Sequence, residues 1–98
     1  MAIKKVYLKT KPVCKVTFET DAETEGVFLV GDFNDWDTKA TPFKKLKKGG
    51  FKVVLNLDKG KTYRFRYLNT EGEYFNEVES DSFEYSDFAG AKNCILNL

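Results

Sequence analysis

Apolar and polar residues alternate along several short stretches of the chain, and this pattern predicts β-strands. The alternation is most regular over residues 13–20, 51–57, 63–68 and 92–98. No window of eleven or more residues repeats its apolar positions every 3.6 residues, so no long helix is predicted. The side chains predicted to face inward are Cys14, Val16, Phe18, Phe51, Val53, Leu55, Leu57, Tyr63, Phe65, Tyr67, Cys94, Leu96 and Leu98.

Turn-forming residues separate these stretches. Gly, Asn, Asp and Lys cluster at 47–50, 58–61 and 69–72, where glycine offers the positive φ that tight turns use. Residues 37–46 are predicted to be loop or edge material, and the acidic segment after Asn76 is predicted to be a connection. About seven to eight short antiparallel strands joined in this way predict an all-β sandwich.

The N-terminal residues are set apart from the rest. Residues 1–12 alternate only weakly and carry Pro12, so they are predicted to form either a basic arm or an edge strand. Residues 13–98 are predicted to form a single domain, since 98 residues suffice for one core and not for two.

The stretch VFLVGDFNDW at 27–36 organises the chain. Its first four residues are an apolar strand, which Gly31 ends at a bend or a close approach of two backbones. Asn34 and Asp35 then form a polar turn that presents Trp36. The indole either folds back to cap the core or stands out as a flat binding platform, and the pattern alone leaves both open.

The charge and the cysteines of the sequence limit the binding partners and the cellular compartment that are expected for the protein. The net charge of +1 gives no drive toward nucleic acid or an anionic membrane, although residues 1–15 carry only basic charges and residues 71–87 only acidic ones. No apolar run has the length of a membrane span or of a signal segment, so a cytoplasmic protein without membrane contact is expected. Cys14 and Cys94 are then free core thiols, or a disulfide if the compartment is oxidising.

The sequence offers little for catalysis. It contains no His, which removes the usual general base and the commonest metal ligand. Glu71, Glu73, Glu77 and Glu79 are predicted to be exposed on turns and on the acidic connection, where nothing distinguishes an acid from a base. The chain is therefore not expected to be an enzyme.

Metal and cofactor motifs are also missing from the sequence. The acidic residues that begin at Asp32 fail the register of a calcium loop, because its glycine and its final glutamate are absent. The two cysteines lie too far apart for a zinc motif, and no glycine-rich phosphate loop opens a helix. No metal and no cofactor are expected.

Binding chemistry is better represented. A sugar ring has apolar faces edged by hydroxyls, which suit aromatic platforms flanked by forked donors and amides. Trp36, Arg66, Tyr74 and Asn93 are such a set if the fold brings them together. The alternative is that Tyr74 packs at an edge, Arg66 is ordinary surface and Asn93 ends a strand.

Three segments carry a resemblance to a known family: VFLVGDFNDWD, GKTYRFRYLNTEGEYFNE and AGAKNCIL. They resemble the immunoglobulin-like early-set domains of the isoamylase N-terminal type, carbohydrate-binding module family 48. This family includes the glycogen-binding domain of the AMP-activated protein kinase β subunit. The resemblance covers about residues 13–98 and is closest to small stand-alone bacterial members; it implies an immunoglobulin-like sandwich.

The resemblance also implies roles for four residues. Trp36 occupies the place of the tryptophan that stacks on glucose, and Arg66 that of the basic contact. Tyr74 aligns with the second platform, and Asn93 with the asparagine near the last strand. The family has Trp where this chain has Tyr74, and Thr where it has Ala91, so weaker or altered binding is expected.

Three functions follow from this reasoning. The first is a non-catalytic module that binds α-glucan, meaning glycogen, starch or maltooligosaccharide. The second is a docking module for a glycoside hydrolase or branching-type enzyme, with little sugar binding of its own. The third, single-stranded nucleic-acid binding, is prompted by the basic and aromatic residues interleaved in KGKTYRFRYL, and the near-neutral charge opposes it.

Overall fold

A computed structural model describes residues 2–87 and 90–98. It contains nine β-strands and a short 3₁₀ turn at Asp32–Asn34, and no α-helix among the described residues. The strands are β1 (Ala2–Tyr7), β2 (Val13–Thr20), β3 (Val27–Gly31), β4 (Lys44–Lys45), β5 (Phe51–Asp58), β6 (Thr62–Asn69), β7 (Tyr74–Phe75), β8 (Ser82–Ser86) and β9 (Ala91–Asn97). Met1, in the predicted arm, and Ala89, which begins the AGAKNCIL stretch, lie outside the described residues.

The strands form two antiparallel sheets. The first has the order β1-β2-β5-β4, and the second has the order β3-β6-β9-β8 with β7 paired to β6. The prediction of an all-β, immunoglobulin-like sandwich is confirmed. The described residues form more strands than the predicted seven to eight, because β4 and β7 are two-residue strands that no alternating pattern reveals and β8 lies in a segment predicted to be a connection.

The core lies between the inner faces of the two sheets. The predicted inward positions of β2, β5, β6 and β9 are buried or pack against the buried cluster. Aromatic rings connect the layers: Phe18 meets Phe65 edge to face at 5.3 Å between ring centroids, and Phe43 meets Tyr67 at 5.2 Å. This packing fixes β6, so the residues between its core positions face outward.

The basic N-terminal segment takes one of the two forms left open by the sequence. Ala2–Tyr7 pairs with β2 along its whole length, from Ala2 opposite Glu19 to Tyr7 opposite Cys14. It forms the edge of the first sheet. Within the described residues, no helix is both long and apolar enough to cross a membrane.

The acidic segment after Asn76 differs from the predicted connection. Ser82–Ser86 forms β8, paired with β9 at the edge of the second sheet. Its residues are exposed except for the half-buried Ser86, so one face carries no buried apolar side chains and the usual strand signal is missing.

The prediction that Glu77 is exposed is also wrong. It is completely buried, and the hydroxyl of Tyr67 donates a hydrogen bond of 3.0 Å to its Oε1. The backbone N–H of Glu79 donates to its Oε2 at 2.9 Å. A buried carboxyl group needs such donors to offset lost hydration, and these donors come from β6 and from the turn that follows Glu77.

The two cysteines are free and buried in different sheets. Cys14 lies in β2 and Cys94 in β9, which are not neighbouring strands. The Cys94 Sγ accepts a hydrogen bond of 3.2 Å from the N–H of Glu77. Burial raises the pKa of the Cys94 thiol.

Candidate functional site

A tight turn after β3 positions Trp36. Asn34 holds this turn: its Oδ1 accepts from the N–H of Gly31 at 3.1 Å, and its Nδ2 donates to the carbonyl of Leu29 at 2.8 Å. Asp35 and Trp36 both adopt left-handed backbone conformations, with φ of 55° and 57°. Such conformations are strained for residues other than glycine, so the surrounding bonds hold the indole in a costly position.

Gly31 permits the close backbone approach that the sequence indicated. It lies opposite Phe65 in β6. A methyl group at Gly31 would lie 2.5 Å from the carbonyl oxygen of Arg64 and 2.8 Å from Cβ of Phe65, closer than van der Waals contact allows. The absent side chain therefore lets the Trp36 turn lie directly on β6.

Asp32 fixes the orientation of the indole. Its Oδ1 accepts a hydrogen bond of 3.0 Å from Nε1 of Trp36, and its Oδ2 accepts one of 2.8 Å from the backbone N–H of Arg64. Of the two outcomes left open for Trp36, the structure shows a half-buried ring outside the core cluster. Because its N–H is occupied, the indole offers a ligand mainly its apolar face.

Arg64 is balanced by carboxylates. Its Nε and Nη2 donate to the two carboxylate oxygens of Glu84 at 2.9 and 3.2 Å, and Asp32 Oδ2 lies 3.9 Å from its Nη1. The hydrogen bond and charge of Glu84, opposed by a smaller desolvation effect, raise the pKa of Arg64. Its guanidinium is held in a fixed orientation on the exposed side of β6.

Arg66 and Tyr74 form a second unit of the site. The guanidinium carbon of Arg66 lies 5.0 Å from the centroid of the Tyr74 ring. Its Nε donates to Oδ1 of Asn76 at 3.0 Å, and Nδ2 of Asn76 donates in turn to the carbonyl of Lys92. Across residues 2–87 and 90–98 no carboxylate forms an ion pair with Arg66, so its charge is oriented by a neutral amide.

Asn93 has a polar atom without a partner. The residue is only 7% exposed, and its Oδ1 has no hydrogen-bond partner among the described residues. It lies on the outer side of β9, since its neighbour Cys94 faces the core. A buried amide oxygen that lacks a donor costs free energy, which makes Asn93 an unusual residue of this strand.

These side chains line one open groove. All four predicted residues line it, and its volume is about 620 Å³. That size lies in the range of small-molecule binding sites. The lining side chains are Asp32, Trp36, Arg64, Arg66, Tyr74, Ser86 and Asn93.

Sequence reasoning missed Asp32, Arg64 and Ser86 in the groove and Asn76 behind it. Arg64 shares the outward parity of Arg66 on β6, a signal that could have found it. Asp32 and Asn76 leave no such signal, because their roles depend on partners in other strands.

Comparison with known proteins agrees with this architecture. A profile of carbohydrate-binding module 48 (isoamylase N-terminal domain) matches residues 14–84. The 1,4-alpha-glucan branching enzyme GlgB of Lactobacillus acidophilus is 32% identical over 73 residues, which are 74% of this chain and 11% of that enzyme. The 1,4-alpha-glucan-branching enzymes of Felis catus and Equus caballus are each 52% identical over 31 residues, which are 32% of this chain and 4% of theirs.

The chain thus spans about a tenth or less of the length of the curated relatives it matches. The matched segment runs from the start of β2 into β8 and contains the Trp36 turn and the Arg66–Tyr74 unit. On the extent of this match, the chain belongs to the carbohydrate-binding module 48 (isoamylase N-terminal domain) family.

Proposed function

We propose that this protein is a non-catalytic module that binds α-glucan chains in the groove, with Trp36, Arg66, Tyr74 and Asn93 as its contact residues. The observation that carries the proposal is that these four residues, far apart in sequence, line one groove. The family membership supports a carbohydrate ligand, and the relatives named 1,4-alpha-glucan branching enzymes support an α-glucan.

The chemistry of the groove suits a sugar chain. Trp36 and Tyr74 provide ring faces against which the C–H faces of glucose pack. Arg66, which forms no ion pair with a carboxylate of the described residues, provides donors for ring hydroxyls, and Asn93 adds an amide side chain to the groove. The groove is open and buries only part of a ligand, so weak affinity is expected.

A nuclear magnetic resonance titration with maltoheptaose tests the proposal. We expect saturable shifts at the Trp36 indole N–H and at the amides around Arg66, Tyr74 and Asn93. Trp36→Ala is expected to weaken binding about tenfold or more, equivalent to about 1.4 kcal/mol. Tyr7→Ala, which removes an exposed aromatic ring from β1, is the matched control and should leave affinity unchanged. Equal affinity of the wild type and Trp36→Ala would refute the site.

A docking role toward a separate branching-type enzyme is the second candidate. The observation that favours it is that the relatives carry the matched segment within far longer chains. Under this hypothesis maltoheptaose leaves the spectrum unchanged, whereas a branching enzyme shifts the resonances of the groove.

We further propose a cytoplasmic location, since two buried free thiols suit a reducing compartment.

A further inference from the structure

Two side chains on the outer face of β9 are buried, although that face is turned away from the other sheet. Asn93 and Ile95 are 7% and 6% exposed. Both point away from the core, because the residues that alternate with them, Cys94 and Leu96, belong to the core cluster. The outer face of the second sheet therefore carries a small buried patch, Asn93 and Ile95, that the packing between the sheets does not explain.

An ion pair between the two flanking strands covers this patch. The strand order is β6-β9-β8, and on β6 Arg64 lies opposite Ile95. On β8, Glu84 lies opposite Asn93. Nε and Nη2 of Arg64 nevertheless donate to the two carboxylate oxygens of Glu84, at 2.9 and 3.2 Å. Because β9 lies between them, the two side chains meet above that strand, and the stem of Arg64 and the ion pair cover the patch.

The cover does not satisfy the polar atom beneath it. Oδ1 of Asn93 has no hydrogen-bond partner among the described residues, and the donors of Arg64 are directed to Glu84 instead. An unsatisfied buried acceptor costs free energy, and in a native structure it calls for an explanation. The closed arrangement is therefore unfavourable for Asn93, whereas removal of the cover lets its amide oxygen accept a hydrogen bond from water or from a hydroxyl group.

Arg64 has a second carboxylate close by. Its Nη1 lies 3.9 Å from Oδ2 of Asp32, in the turn that follows β3, and β3 lies on the other side of β6 from β9. A shift of the guanidinium toward Asp32 exchanges one carboxylate partner for another and uncovers β9. The side chains of Arg64 and Glu84 are 44% and 52% exposed, and ion pairs of that exposure are weak. The cover is therefore easy to open.

Building on the α-glucan function proposed above, we propose that Asn93 and Ile95 form a covered subsite, which extends the groove along β9 for a further glucosyl residue. The sugar enters when Arg64 turns from Glu84 toward Asp32. Ile95 then offers an apolar surface to the C–H face of the sugar ring, and the amide of Asn93 meets its hydroxyls. The ligand stabilises the open arrangement, because it contacts the patch only when the cover has moved.

Methyl labelling of isoleucine tests the proposal directly, because the sequence has two isoleucines, Ile3 and Ile95. Ile3 lies in β1 of the first sheet and packs against the core, so its methyl signal is the internal control. On titration with maltoheptaose we expect nuclear Overhauser effects between sugar protons and the δ1 methyl group of Ile95. We expect none to the δ1 methyl group of Ile3.

Glu84→Gln tests the cover in the same titration. The variant keeps the size of the side chain but loses the charge that holds Arg64 over β9. Maltoheptaose affinity should therefore rise about two- to fivefold, the range that the loss of an exposed ion pair allows, and the effects at the Ile95 methyl group should strengthen. Glu23→Gln removes the same charge from an exposed position between β2 and β3, and this matched control should leave the affinity unchanged.

The possible outcomes separate the covered subsite from the function on which it rests. Shifts at Trp36 without any effect at the Ile95 methyl group would overturn the subsite and leave the glucan groove in place. Unchanged affinity of Glu84→Gln, or an equal gain from Glu23→Gln, would also overturn it, and the ion pair would then only fasten β8 to β6. No response of Trp36 or Ile95 to maltoheptaose in any variant would refute both the subsite and the proposed function.

Discussion

The guanidinium of Arg66 lies over the ring of Tyr74, 5.0 Å from its centroid, so the two residues act as one unit of the groove. Tyr74 nevertheless remains 44% exposed, which leaves ring surface available to a ligand. A cation and an aromatic ring in this geometry stabilise each other by about 0.5–1 kcal/mol at exposed sites. For the proposed glucan ligand, a unit that is already ordered would lower the entropy cost of binding.

The size of the second platform is open to direct test. Tyr74→Trp enlarges the ring and should tighten maltoheptaose binding several-fold, whereas Tyr74→Ala should weaken it and release Arg66. Isothermal titration calorimetry measures both, and Tyr85→Trp on β8 controls for a general effect of an added indole. A platform role for Tyr74 would be contradicted if Tyr85→Trp bound maltoheptaose more tightly than the wild type. It would also be contradicted if Tyr74→Trp did not bind more tightly than the wild type.

Asp32 is expected to affect binding through the orientation of Trp36. Asp32→Ala removes the acceptor of the indole N–H, so the indole proton should exchange faster with water and maltoheptaose affinity should fall several-fold. Asp32→Asn keeps an acceptor and should retain most of the affinity. Asp37→Ala, at an exposed position of the same loop, is the control. Loss of affinity without a change in indole exchange would mean that Asp32 acts in another way.

Gly31→Ala should destabilise the fold by about 1–3 kcal/mol, because the added methyl group would meet the Arg64 carbonyl at 2.5 Å. The clash is with backbone and with a Cβ atom, neither of which can rotate away. At Gly26 the corresponding nearest atom is a Thr70 methyl at 3.1 Å, so Gly26→Ala should cost less. Urea denaturation measures both, and equal losses would contradict the close approach at Gly31.

The buried hydroxyl of Tyr67 makes stability depend on pH at alkaline values. Burial, together with the charge and hydrogen bond of Glu77, raises the pKa of Tyr67. Above pH about 10 the unfolded chain loses this proton while the folded chain keeps it, so the free energy of unfolding should fall as pH rises. The Cys94 thiol, whose pKa is raised by burial, adds to this fall from pH about 8.5.

Tyr67→Phe separates the two contributions. The variant should lose about 1–3 kcal/mol near neutral pH, because Glu77 loses a buried donor, and should show a shallower decline of stability above pH about 10. Tyr85→Phe, at an exposed site on β8, is the control. Urea denaturation at successive pH values measures the slope, and parallel slopes for Tyr67→Phe and the wild type would contradict the assignment.

Much of the fold was predictable because burial in a sandwich repeats every second residue. The inward positions of β2 and β6 follow from that repeat, as does the outward position of Arg66. β8 escaped prediction because its inward aromatic rings lie at an uncovered edge and its other residues are polar. The burial of Glu77 was not predicted, because it depends on a hydroxyl ten residues away that no local sequence pattern contains.

The groove was predictable only in part. Trp36, Arg66, Tyr74 and Asn93 were proposed as a set from residue chemistry and family resemblance, and all four line the groove. The contribution of Asp32 depends on the pairing of β3 with β6, which places Gly31 opposite Phe65 and brings Asp32 to the N–H of Arg64. Strand registers of this kind are set by packing across the whole sandwich.

Trp36 is the single tryptophan of the sequence, and it lines the groove. Its intrinsic fluorescence therefore reports on this site alone, without a label or an engineered probe. Because Asp32 holds the indole N–H, a ligand that covers the ring should change its emission by displacing water from the exposed face rather than by taking over that bond. The fluorescence of Trp36 can therefore be used to measure, without a label, whether a ligand occupies the groove.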